Sequence, residues 1–213
     1  MPRGSRLAFE NSFCHVFNRG INKQAIFIQP ADYEFFLSRV LNLKEKFDHS
    51  LYAMVLMPNH FHLSIQIRKI PLRKIMSSLE TAYAMYFNHL YHHCGPVFQN
   101  RYKSILVEND QYFIELSRYI YLNPVRDNLS KDPLSYPYST FGEALGKTPL
   151  KFLDQEIVRL VGETTGSQKD YEKFVYAGIK QDPSPLSQLF ETEESVLGSD
   201  YFRTRALKKV TVR

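Results

Sequence analysis

The chain has 213 residues, 44% apolar and 23% charged, which excludes wholesale disorder and a collagen-like repeat and suits one ordinary domain plus an extension. Lys and Arg number 27 against 22 Asp and Glu, and the resulting net charge of +5 permits a polyanionic partner without demanding one. Two cysteines, Cys14 and Cys94, exclude a disulfide framework. The residues before Phe13 carry no apolar signal-like stretch, and the longest apolar run, Tyr52 to Met57, is far short of a membrane span. The expectation is a soluble, cytoplasmic protein with no membrane partner.

In chain order, Phe13 to Phe17 predicts a short strand stopped at Asn18-Arg19-Gly20. From Asp32 to Phe47, the positions Phe36, Leu37, Val40, Leu41 and Leu43 recur at helical spacing. Leu51 to Met57 reads as a dense apolar strand, and Pro58-Asn59 as a turn. His60 to Ile67 alternates strictly. Phe61, Leu63, Ile65 and Ile67 lie on one side, and His60, His62, Ser64 and Gln66 on the other, the pattern of a strand with one covered and one open face.

A long helix is expected from Pro71 to about His92, then a strand over Tyr102 to Val107. Asp110 can cap a helix running to Leu122, which Pro124 would end. This order predicts an α+β fold: a ferredoxin-like antiparallel sheet with two helices on one face. Past Phe141 the chain is punctuated by Pro and Gly, with helical patterns at Leu150 to Val161 and Gln168 to Ile179, a break at Pro183-Ser184-Pro185, and a basic end. We therefore expect a domain over 1–149 and a helical extension over 150–213.

Two features carry candidate chemistry. His60 and His62, one residue apart on a strand, point to the same side and can bind one divalent metal together; two surface histidines on an open face are the plainer alternative. In Arg118-Tyr119-Ile120-Tyr121-Leu122-Asn123-Pro124, Tyr119 and Asn123 are four apart and share a helix face, with Glu115 one turn earlier. A tyrosine at a core edge and an asparagine closing the helix would give the same pattern. His89, His92 and His93 read as decoration of a helix end.

Together these segments resemble the HUH single-tyrosine transposases of the IS200 type, above all their REP-associated tyrosine transposase branch. The resemblance rests on His15-Val16-Phe17-Asn18-Arg19-Gly20, Leu56-Met57-Pro58-Asn59-His60-Phe61-His62-Leu63, Phe98-Gln99-Asn100-Arg101-Tyr102 and Arg118-Tyr119-Ile120 through Asn123-Pro124-Val125-Arg126. It spans roughly residues 12 to 141, and Val196-Leu197-Gly198-Ser199 is similar to a segment of longer relatives. It implies an HUH fold, with His60 and His62 as paired metal ligands, Asn123 as the third and Tyr119 as the nucleophile. Tyr112 and Tyr121 are competing tyrosines nearby.

The implied activity is a metal-dependent single-stranded DNA endonuclease and strand transferase that forms a 5′-phosphotyrosine on hairpin DNA. The implied cofactor is Mg²⁺ or Mn²⁺, with imidazole ligands favouring Mn²⁺. A tyrosine hydroxyl is protonated at neutral pH and needs help, for which Glu115 is a candidate. Arg19, Lys23, Arg68, Lys69, Arg73, Lys74, Arg101, Lys103 and Arg126 are candidate phosphate contacts, and the 14 Tyr and 16 Phe include candidates for stacking on unpaired bases. The chain has no GxxxxGK[ST] motif, so no nucleotide cofactor is expected. Monomer and homodimer both remain open. The alternatives are a non-cleaving hairpin binder and an unrelated hydrolase holding zinc on His60 and His62.

Overall fold

The computed structural model describes residues 8–108, 111–180 and 196–211. It opens with β1 (Phe13–Arg19), α1 (Pro30–Lys46), β2 (His49–Met57), β3 (His60–Ile67), α2 (Leu72–Leu90) and β4 (Lys103–Val107). Then come α3 (Gln111–Arg126), α4 (Phe141–Ala144), α5 (Gln155–Thr165), α6 (Gln168–Ala177), β5 (Val196–Leu197) and α7 (Asp200–Thr211). The sheet order is β2-β3-β1-β4-β5. The first four strands pair antiparallel, as a ferredoxin-like order requires, so the first strand lies beside the third.

The helices α1 and α2 cover one face of the sheet, as expected. On α1 the buried Tyr33, Phe36, Val40 and Leu43 recur at three- and four-residue steps; on α2, Leu72, Ile75, Met76, Leu79, Tyr83 and Phe87 do the same. Phe36 bridges the layers, its ring 5.1 Å from that of Phe61 on β3 and 5.2 Å from that of Tyr83 on α2. Asp32 closes the start of α1 by accepting from the backbone of Ile28 and Gln29 and from the hydroxyls of Tyr86 and Tyr91.

The other face of β3 is not open. His62 and Ser64 are buried and His60 is only 9% exposed, because α3 lies across that face of the sheet. Polar alternation cannot reveal a helix that arrives fifty residues later, and the two imidazoles find partners in neighbouring segments, His62 in His15 and His60 in Asn59. A second correction concerns Pro124, which lies inside α3 instead of ending it. Proline lacks the N–H that Ile120 O would accept. The Asn123 side-chain amide donates to Ile120 O at 3.4 Å and to Tyr119 O at 2.8 Å, which lets the helix run on to Arg126. The proposed cap at Asp110 and the break at Pro183-Ser184-Pro185 lie outside the described residues.

Segments from the C-terminal half pair with the outer strands β2 and β4. Along β2, Leu56 N donates to Tyr138 O at 2.9 Å and Thr140 N to Met54 O at 3.0 Å. Along β4, β5 pairs in parallel, so Val196-Leu197 adds a strand where the tail was expected to be helical. The helix α6 packs on α3: the Tyr171 and Ser117 hydroxyls bond at 2.7 Å, and Arg118 lies 4.2 Å over the Phe174 ring. At Gly178 a Cβ would sit 2.7 Å from Leu122 Cδ1 and 3.0 Å from Arg118 Cδ, so the chain passes close to α3 here. Among the described residues no helix is long and apolar enough to cross a membrane.

Candidate active site

The site lies between the sheet and α3. On β3 the period of two places His60 and His62 side by side, with ring centroids 5.1 Å apart and planes at 87°. On β1, Phe17 is opposite His62 and Arg19 opposite His60 in the antiparallel register. His15, two residues before Phe17, reaches back to His62, with Nε2 of His15 2.9 Å from Nδ1 of His62. The Nδ1–H of His60 donates to Asn59 Oδ1 at 2.6 Å, in the turn just before the strand.

From α3, Tyr119 meets this cluster edge-on, its ring 5.5 Å from that of His62 and 6.1 Å from that of His15. Only 4% of Tyr119 is exposed. Asn123 is buried one turn later on the same face, and Arg126 places its guanidinium 5.3 Å over the Tyr119 ring. Glu115 pairs with Arg118, which directs its carboxylate along the helix towards α6. Tyr121 is fully buried on another side of α3, its hydroxyl 3.5 Å from Tyr52 O and 3.4 Å from Thr140 Oγ1. The structure thus brings together His60, His62, Tyr119, Asn123 and Arg126, and sets Glu115 and Tyr121 apart.

Burial dominates the electrostatics. It pushes His60 down to about 4 and His62 well below its ordinary value, so both imidazoles are neutral at physiological pH. It raises the Tyr119 hydroxyl to about 12, against the opposing pull of Arg126 and the Asn123 amide. For a divalent cation the donor set fits. The rings are neutral, the His60 Nδ1–H bond leaves Nε2 as its donor nitrogen, and the commitment of Asn123 Nδ2 to backbone carbonyls leaves Oδ1 as its ligand atom. Among the described residues no group of three or more His, Cys, Asp or Glu could hold a metal ion, so the two imidazoles alone do not make a complete set of protein ligands.

The expected phosphate contacts separate into groups. Arg19, Arg101 and Lys103 line a cavity of about 180 Å³ with Phe17, beside the histidine face. Arg73 and Lys74 line a larger groove of about 860 Å³ with Lys46 on the α1/α2 side, and Arg101 borders both. Arg68 pairs with Asp48 at 3.5 Å, while Lys23 and Lys69 are exposed. His15 was missing from the expected site. Its signal is the sheet order itself, which sets the odd positions of β1 against the even positions of β3, but the register that aligns them is not written in either strand alone.

Residues 8–123 match the family model described as IS200-like transposase, a span that holds every residue of this cluster except Arg126. The chain belongs to the IS200-like transposase family. The fold agrees: a structure of a REP-associated tyrosine transposase bound to a REP hairpin superposes with a TM-score of 0.59 at 16% identity, covering 73% of this chain and 98% of that one. A crystal structure of a candidate transposase from Deinococcus radiodurans reaches 0.39 at 12% identity, covering 62% of this chain and 94% of that one. No curated protein sequence matches this transposase.

Proposed function

We propose that this transposase cleaves and rejoins single-stranded DNA beside a hairpin, with Tyr119 as the nucleophile and residues 1–149 as the catalytic unit. The observation that carries the reading is the edge-on contact of the Tyr119 ring with His62 at 5.5 Å, which puts a phenol and two neutral imidazoles in one buried cluster. In the reaction the Tyr119 oxygen bonds to phosphorus and the bond to the 3′ oxygen breaks. The 3′ end departs as a hydroxyl, taking up a proton to balance the one the phenol loses. The 5′-phosphotyrosine keeps the energy of the broken ester, so a second 3′-hydroxyl can reverse the step without ATP.

His60, His62 and the Asn123 carboxamide would hold Mg²⁺ or Mn²⁺, which supplies charge withdrawal from the non-bridging phosphate oxygens. Arg126 holds positive charge against the phenol and favours its ionised form. Arg19, Arg101 and Lys103 would seat the strand next to the histidines, and Arg73 and Lys74 would track phosphates along the α2 groove. Lys23, Arg68 and Lys69 lie farther along the surface as additional contacts. The compartment that fits this substrate is the cytoplasm.

The test uses a synthetic single-stranded hairpin with unpaired flanks, incubated with Mn²⁺. A denaturation-resistant protein–DNA adduct is expected from the wild type and none from Tyr119→Phe, with hairpin binding kept. The burial of Tyr119 favours a second reading, a hairpin binder that does not cut. Hairpin binding without any wild-type adduct would establish that reading instead.

A further inference from the structure

We propose that His15 is a positioning residue for the cation site: by accepting the Nδ1 proton of His62, it holds that imidazole in the tautomer whose Nε2 can bind a metal. The inference rests on the cation-binding reading above and adds a residue to it.

Two neutral imidazoles with nitrogens 2.9 Å apart share one proton, and only two arrangements are possible. In the first, His62 Nδ1–H donates to the lone pair of His15 Nε2, His15 carries its own proton on Nδ1, and His62 Nε2 keeps a lone pair. In the second, His15 Nε2–H donates to His62 Nδ1, and His62 Nε2 carries a proton that blocks it as a ligand. A cation on His62 Nε2 therefore selects the first arrangement, and His15 is the acceptor that this arrangement needs.

The surroundings make that acceptor costly to lose. His15 and His62 are 1% and 0% exposed, so water cannot take the place of His15 at the Nδ1 proton. A buried N–H left without an acceptor carries the full desolvation penalty. The His15 ring is held in place by Phe17, at 4.8 Å, and by Tyr119, at 6.1 Å, and lies within 22° of the His62 plane. Its Nδ1 is buried with no hydrogen-bond partner among the described residues, so the first arrangement leaves the His15 Nδ1–H without an acceptor and is held in place by the cation on His62 Nε2. A partner that fixes the tautomer of a ligating histidine typically contributes about 10- to 100-fold in metal affinity.

The full-length protein is titrated with Mn²⁺ alone, followed by electron paramagnetic resonance of the free ion. His15→Leu, which fills the space without an acceptor, should weaken binding about 10- to 100-fold. His15→Gln, whose carbonyl oxygen can accept from Nδ1–H, should recover much of it. Imidazole ¹⁵N resonances of the wild type with Mg²⁺ should show His62 protonated at Nδ1; protonation at Nε2 overturns the inference whether or not the variants fold. A folded His15→Leu that binds Mn²⁺ as tightly as the wild type overturns it too. His60→Ala separates the two levels. If it abolishes binding while His15→Leu does not, the role of His15 fails alone; if the wild type binds no Mn²⁺, the cation site fails and takes this inference with it.

Discussion

The guanidinium carbon of Arg126 lies 5.3 Å from the centre of the Tyr119 ring, two turns further along the same face of α3. The pair sets a cation against a phenol that burial alone would make harder to ionise, and each affects the other: Arg126 lowers the Tyr119 pKa, and Tyr119 raises that of Arg126. Arg126→Gln should therefore slow adduct formation about tenfold, the size of a partly desolvated cation–aromatic interaction. Arg126→Lys should retain part of the rate. Because the Tyr119 hydroxyl stands near 12, the wild-type rate should climb steadily from pH 7 to 9. Equal rates for Arg126→Gln and wild type across that range would break the proposed coupling.

Tyr121 is the natural control. Its hydroxyl makes only long contacts to Tyr52 O and Thr140 Oγ1, away from the histidines. Tyr121→Phe should form the DNA adduct at the wild-type rate and lose no more than about 1 kcal/mol of stability in urea unfolding. An adduct lost in Tyr121→Phe and kept in Tyr119→Phe would exchange their roles.

The buried histidines also make the fold sensitive to acid. Burial holds His15 near 3 and His60 near 4 in the folded protein, whereas in the unfolded chain they take up protons near 6.5. Between these values the unfolded chain binds more protons, so stability is full above about 6.5 and falls as pH drops towards 4. The slope is on the order of 1 kcal/mol per pH unit for each such histidine. The urea midpoint of the metal-free protein should fall clearly from pH 7 to pH 5, and less steeply for His15→Gln. Equal wild-type midpoints at the two pH values would contradict this account.

Gly20 ties the first strand to the histidine turn. Its N–H donates to Asn59 O at 2.8 Å, and a Cβ there would sit 2.2 Å from Gln24 O and 2.8 Å from Ile26 Cγ2. Its φ of −61° is ordinary, so the demand for glycine is one of space, not of dihedral angle. Gly20→Ala should cost about 1–3 kcal/mol through overpacking. At roughly 2–4 °C per kcal/mol for a chain of this size, calorimetry should show a clear fall in Tm. The shift should also weaken Mn²⁺ binding, since Asn59 anchors His60.

The strand and helix pattern was legible in the sequence where periodicity was strong. The bounds of β3 and the apolar stripes of α1 and α2 follow from alternation and from three- and four-residue spacing. The end of α3 departs from the local rule about proline because the Asn123 side chain bonds the Ile120 carbonyl that Pro124 leaves without its donor. The strand at Val196-Leu197 was missed because two residues carry no readable period and gain their partner only from β4.

What the sequence determined by itself was local: which strongly periodic segments form strands and helices, that His60 and His62 share a side, and that Tyr119 and Asn123 share a helix face. Tertiary structure decided that the two sides face each other, that the polar face of β3 is sealed beneath α3, and that His15 reaches His62. The physical reason is range. Backbone periodicity acts over a few residues, whereas sheet register and the docking of α3 depend on burial summed over the whole core, and the buried position of the site, with its displaced pKa values, arises only from that sum.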